Sequence, residues 1–111
     1  MAYIGVVIDQ YGKIPLHVRD ANQLVVYDLS SNSVRERHNL VGIGDAYFPG
    51  IQVAMAAMGN GIETLYTGRE LNFFTRFPMR VLGINNKAAP NQTIDGIVSQ
   101  LSGNSRLDKA A

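Results

Sequence analysis

The sequence contains no cysteine, which removes disulfides, thiolate metal sites and a self-contained iron-sulfur centre from consideration. Any metal centre has to draw on histidine, on carboxylates, or on ligands that a cofactor carries with it. Histidine itself is scarce, with two in 111 residues. Long apolar runs are missing as well: none approaches the roughly 18 residues of a membrane span. The opening AYIGVVID enters a strand-like pattern with no charged segment and long apolar stretch of a secretory leader before it. A cytoplasmic protein with no membrane partner is expected. Nor does charge of one sign dominate. Ten basic and nine acidic residues give a formal net charge of +1, without the concentrated basic field that nucleic acid or an anionic surface requires.

What is present is enough apolar material for a packed core, 46% of residues, in a length that suits one domain. The first forty residues carry strand patterns. YIGVVID (3 to 9) is β-branched and unbroken, as a strand buried on both faces should be, and Gly12 supplies the turn after it. QLVVYDL (23 to 29), the turn SSNS and VRERHN (34 to 39) read as an antiparallel hairpin, with Arg35 and Arg37 on its exposed face and Val34, Glu36 and His38 on the other. The period then changes. GIQVAMAAM (50 to 58) is a helix with Ile51, Ala54, Met55 and Met58 on one stripe, stopped by Gly59 or Gly61. IETLYTG (62 to 68) predicts a strand, RELNFFTRF (69 to 77) a helix ended by Pro78 with Phe73, Phe74 and Phe77 in its core face, and MRVLGIN (79 to 85) a further strand. Thr93 caps a last helix, about 93 to 102, with Ile94, Ile97, Val98 and Leu101 inward. The expected architecture is an α/β domain over residues 1 to 103, order βββαβαβα, with a five-stranded mixed sheet, the 3-to-9 strand near its centre, and a polar tail at 104 to 111.

Three constellations could carry chemistry. His17 lies in IPLHVRDAN, between two strand patterns, beside Arg19 and Asp20. Loops held on a rigid sheet are where sites tend to lie, but spacing alone favours the plainer reading, in which Asp20 and Asn22 close the turn and His17 only covers the sheet edge. NLVGIGDAYFPG (39 to 50) brings Gly42 and Gly44 ahead of a helix N-terminus, a setting that favours an anion. It has neither the Walker nor the full dinucleotide spacing, and a flexible connection accounts for it as well; its three glycines predict that residues 39 to 50 are mobile in the free protein and order when ligand binds. Catalytic groups are nearly absent: neither histidine has a matching nucleophile motif, and Asp9, Asp28, Glu36 and Glu63 show no metal-ligand spacing. No enzyme activity is expected.

The stretch IGVVIDQYGKIPLHVRDANQLVVYDL resembles the dinitrogenase iron-molybdenum cofactor-binding family. Its members open with a strand, a turn and an HFGRA-type motif, followed by an F-x-I-Y-D strand. His17 falls on the motif histidine and Ala21 on its alanine, with Leu24, Val26, Tyr27 and Asp28 following in register. GIG (42 to 44), the helix from Gly50, YTG (66 to 68) and VLGI (81 to 84) are similar to the family's second half, so the resemblance spans about residues 3 to 102. Three positions depart: Val18 replaces the aromatic, Arg19 the glycine and Asp20 the arginine, so the family's positive charge is moved by one residue.

The resemblance implies a ribonuclease-H-like fold without catalysis, acting as carrier, chaperone or store for an iron-molybdenum cluster or its iron-sulfur precursor in nitrogen fixation. Nitrogenase assembly proteins would be its partners. It implies His17 as metal ligand, Arg19, Gly42 and Gly44 as further cofactor contacts, His38 as a reserve ligand, and Lys13 or Arg37 as added positive charge. A cluster that brings its own sulfides can be held by one imidazole in basic surroundings. Two other classes remain compatible with the residues: a small anion-binding or regulatory domain using the 42-to-50 loop, and a protein-interaction domain without any cluster.

Overall fold

Strands and helices follow one another as βββαβαβα, the order that the change of period predicts. The computed structural model describes residues 3–40 and 49–101, and for Phe73 and Phe74 the backbone alone. Strands β1 (Tyr3–Ile8), β2 (Gln23–Asp28), β3 (Ser33–Asn39), β4 (Thr64–Thr67) and β5 (Asn85–Ala88) form one mixed sheet in the order β3-β2-β1-β4-β5. β1 runs antiparallel to β2 and parallel to β4, and β5 continues the parallel side. The unbroken β-branched run thus takes the central place its sequence requires.

Alternation along β1 sends Val7 to one face and Ile4, Val6 and Ile8 to the other, and each face has its own buried cluster. Helices α1 (Pro49–Met58) and α2 (Phe73–Val81) close the first through Val53, Ala54, Ala57 and Met79. Helix α3 (94–101) closes the second through Ile97, and Thr93 caps it by accepting the Gly96 N–H at 3.1 Å. The result is a helix–sheet–helix sandwich with two thin cores.

Part of the second half differs from expectation. Residues 79–85 are not a strand: α2 continues to Val81 and β5 begins only at Asn85. The helix also starts at Phe73 rather than 69, because Asn72 caps it, its side chain accepting the Thr75 N–H at 2.9 Å. Pro78 sits inside the helix instead of ending it. The bond forfeited by its missing N–H is outweighed by the next residue, Met79, which is completely buried. Val81 and Leu82 are 70% and 65% exposed, and Gly83 at φ 85° turns the chain so that Ile84 enters the core ahead of β5.

Two side-chain stripes are displaced as well. Phe77, expected in the core, is 56% exposed. On α1 Ala54 is buried as expected, but its companions are Val53 and Ala57, while Ile51 and Met55 point outward. A helix whose only polar side chain is Gln52 offers several equivalent stripes, so the sheet contact, and not the pattern, selects the face. In β3, a bulge opposite Val26 and Tyr27 breaks the alternation: Glu36 pairs with Val26 and Val34 with Tyr27. Arg35 is the extra residue, and its guanidinium lies 4.5 Å over the Tyr3 ring.

Candidate functional site

The loop between β1 and β2 is built rigidly. The Asp9 carboxylate accepts the N–H groups of Tyr11 at 2.8 Å and Lys13 at 3.1 Å, and Gly12 turns the chain with φ 79°. Ile14, fully buried, donates to the Gln92 carbonyl and accepts from the Asn91 N–H, both at 2.9 Å, which pins the loop to the chain ahead of α3. Pro15 and Leu16 then lead to His17, the N-cap of a single 3-10 turn at Val18–Asp20. Asp20 N–H donates to the His17 carbonyl at 3.0 Å and Ala21 N–H to the Val18 carbonyl at 3.1 Å. Val18 packs on the core and Ala21 is buried in it, so Val18 provides the apolar anchor where the resembling motif has an aromatic. The hydrogen bonds that close this turn, among the described residues, are made by the backbone. The His17 imidazole is exposed and makes no capping bond, so the turn does not need it.

Opposite this loop runs the connection from β4 to α2. Gly68 lets it approach closely, since a Cβ there would lie 2.0 Å from the Pro15 carbonyl oxygen. Asn86 of β5 holds the far side: its carboxamide oxygen accepts the Leu71 N–H at 2.6 Å, and its nitrogen donates to the Leu65 carbonyl and Thr67 Oγ1, both at 3.0 Å. Thr67 Oγ1 in turn donates to the Arg69 carbonyl. Between the two loops lies a cleft of about 230 Å³, walled by Leu16, His17, Arg69 and Leu71 and by residues at the beginnings of both helices, Gly50 on α1 and Asn72 with Thr75 on α2.

This position has a topological cause. β1 connects toward β2 on one side, whereas β4 lies parallel to it on the other. The cleft therefore opens where the C-terminal ends of two parallel strands part, the place at which open α/β sheets bind ligands. Its electrostatics favour an anion. Arg69 and two helix N-termini contribute positive charge, and the one carboxylate among the described residues of its wall, Glu70, is engaged by Arg76 at 2.8 Å.

The residues singled out in the sequence scatter around this cleft. His17 lies on its wall; Arg19 is exposed on the 3-10 turn and not among the cleft residues. Arg69, which no motif marked, supplies the cation instead, and only the β1–β4 adjacency brings it there. His38 is elsewhere. Its Nε2 lies 3.1 Å from Asn60 Oδ1 and 3.0 Å from Glu36 Oε2. Asn60 is oriented by donation of its Nδ2 to the Ala56 carbonyl, so both neighbours of Nε2 are acceptors and this nitrogen carries the hydrogen. A reserve ligand would have to use Nδ1. Arg37 donates to Gln23 Oε1 at 3.1 Å on the hairpin, and Lys13, exposed, pairs through its backbone with Thr93 away from the cleft residues. Gly42 and Gly44, with the expected mobile loop, lie outside the described residues. No group of three histidine, aspartate or glutamate side chains suited to a bare metal ion occurs among the described residues, and no helix there is long and apolar enough to cross a membrane.

Comparison with known proteins places the fold. No family model and no curated protein matches the sequence. Solved structures do. The apo form of the orange protein from Desulfovibrio gigas superposes with a TM-score of 0.70 at 17% identity, covering 93% of this chain and 89% of that one. The NMR structure of a Thermotoga protein, described as a candidate NifB protein of the DUF35 family, superposes with a TM-score of 0.60 at 18% identity over the same shares of both chains. The chain has the fold of these two proteins, in agreement with the fold that the sequence resemblance implies.

Proposed function

We propose that the chain belongs to the dinitrogenase iron-molybdenum cofactor-binding family and acts, without catalysis, as a carrier for an iron-molybdenum cluster or its iron-sulfur precursor, received at the His17 cleft. The observation that carries this reading is an exposed imidazole with no structural duty, held by a rigid loop on the wall of a positively charged cleft at the parting of β1 and β4. The fold shared with the orange protein and the candidate NifB protein over 93% of the chain supports it, and so does the motif register around His17.

The donor set suits such a cargo. A bare ion would find too few protein ligands, but a cluster completes its coordination with its own sulfides and needs only one imidazole plus charge compensation. One ligand also permits release, which a carrier requires. Arg69 and the helix N-termini would face the cluster's negative charge while Leu16 and Leu71 shield one side of it. Delivery to nitrogenase assembly proteins in the cytoplasm follows from the same reading.

The test is an anaerobic titration of the protein with isolated cluster, comparing wild type with His17→Ala and Arg69→Ala and following melting in parallel. His17→Ala should abolish binding with unchanged melting, and binding should weaken on acidification because a protonated imidazole cannot ligate. A folded His17→Ala protein that binds as tightly as wild type at every pH would refute ligation. If Arg69→Ala alone lost binding, the cleft would be a simple anion site, the regulatory alternative.

A further inference from the structure

A second cavity, about 330 Å³, lies between α2 and the edge strand β5, lined by Glu70, Arg76, Phe77, Arg80, Ile84 and residues 85–87. Among the described residues it shares only Glu70 with the His17 cleft. We propose that this groove binds a small ligand carrying adjacent oxyanion groups, of the diphosphate class, through Arg80, Lys87 and Arg76.

The argument begins with spacing. Arg76 and Arg80 are four residues apart on α2, so they share one face of the helix. β5 brings Lys87 to the same cavity. Against these three cations stands, among the described residues, one carboxylate, Glu70, which Arg76 Nη1 already engages at 2.8 Å. Arg80 and Lys87 have no carboxylate partner among the described residues. Arg76 Nε is closed to solvent and without an acceptor, so a ligand in the cavity would reach this guanidinium only through its terminal nitrogens.

Ordinary structural roles explain the pieces singly. Lysine on an edge strand guards against strand pairing, and an arginine in the last turn of a helix complements the dipole. Neither explains why both line one concavity together with a third cation, Arg76, against a single carboxylate among the described residues. Asn86 cannot be part of the recognition, because its carboxamide is occupied by Leu71, Leu65 and Thr67; its neighbour Asn85 is exposed. The volume is at the lower end of small-molecule sites, which fits a compact anion and excludes a large cofactor. Charge-assisted bonds from guanidinium groups to phosphate oxygens are the strong interactions available here.

The probe is inorganic pyrophosphate, titrated into the labelled protein with amide chemical shifts as readout and sodium chloride of matched ionic strength as control. Saturable shifts over residues 76–88 are expected, at least about tenfold weaker binding in the Arg80→Ala/Lys87→Ala double variant, given the value of charge-assisted bonds, and no change in His17→Ala. Lys87→Glu alone, on an exposed edge, should weaken binding further than Lys87→Ala. Shifts that fail to saturate, that chloride reproduces, that centre on His17 and Arg69, or that survive the double variant would overturn the assignment. Because His17→Ala leaves this groove intact, failure here and failure of the cluster reading are separable.

Discussion

Gly68→Ala tests how the two loops of the cleft are held together. The glycine's φ is not in the left-handed region, so the backbone itself would accept alanine; what forbids it is space. A Cβ at this position would lie 2.0 Å from the Pro15 carbonyl oxygen, 2.6 Å from Leu16 Cα and 2.7 Å from the Leu16 oxygen. Non-bonded contacts rest near 3.5 Å, so the 15–16 backbone must retreat by on the order of 1 Å. It has little room to do so, since Ile14 is hydrogen-bonded on both sides to residues 91 and 92 and buried. The obstacles are backbone atoms, which places the cost toward the upper part of the overpacking range, about 3 kcal/mol. For a chain of this size that lowers the melting temperature by about 10 °C. The strain would be relieved toward His17, the first residue beyond the pinned segment. Thermal unfolding and amide shifts of residues 15–18 are the measurements, with Gly96→Ala as control. That glycine sits inside α3 with its nearest neighbour, Thr93 Oγ1, at 3.4 Å, so alanine there should raise stability by about 0.5–1 kcal/mol. If Gly68→Ala melted with wild type and left the His17 amide unshifted, the close loop contact would not exist and the cleft as described would be wrong.

Asn86→Ala removes the acceptor for Leu71 N–H and the donor to Leu65 and Thr67; a loss of about 3 kcal/mol is expected, with hydrogen exchange at Leu71 accelerated well beyond that in β1. Met79→Ala should cost about 2–5 kcal/mol in urea unfolding, whereas Val81→Ala should stay within about 0.5 kcal/mol. Equal costs would favour a strand over 79–85, in which the two side chains share a face. Burial raises the Tyr66 hydroxyl above its ordinary value of 10.0, so the native state keeps its proton after the unfolded chain has lost it. Stability should then be intact below about pH 10 and fall as pH rises above it, and Tyr66→Phe should flatten that decline.

How much was legible follows from which physical constraint each residue obeys. β1 could be read directly, because a central strand must be apolar on both faces, and no other element among the described residues is so uniformly β-branched. Thr93 could be read as a cap because capping is settled within one turn of the chain. α1 could be recognised as a helix but not oriented, since nearly every side chain on it is apolar. The segment 79–85 misled because VLGI satisfies strand propensity, and the cap at Asn72 together with the burial of Met79 overrode that local preference.

By itself, then, the sequence determined the element order, the central strand, the absence of thiol chemistry and the place of His17 in a loop at a strand end. All of these depend on local pattern or on composition, which a linear chain displays in full. Tertiary structure alone decided that Arg69, fifty-two residues after His17 in the chain, stands on the same cleft, that His38 turns its Nε2 to Glu36 and Asn60, and that Arg76, Arg80 and Lys87 line one groove. Those facts depend on β4 lying parallel to β1 and on β5 starting at Asn85. Strand adjacency is set by how two apolar faces are buried at once, a condition on the whole chain that no short stretch of it records.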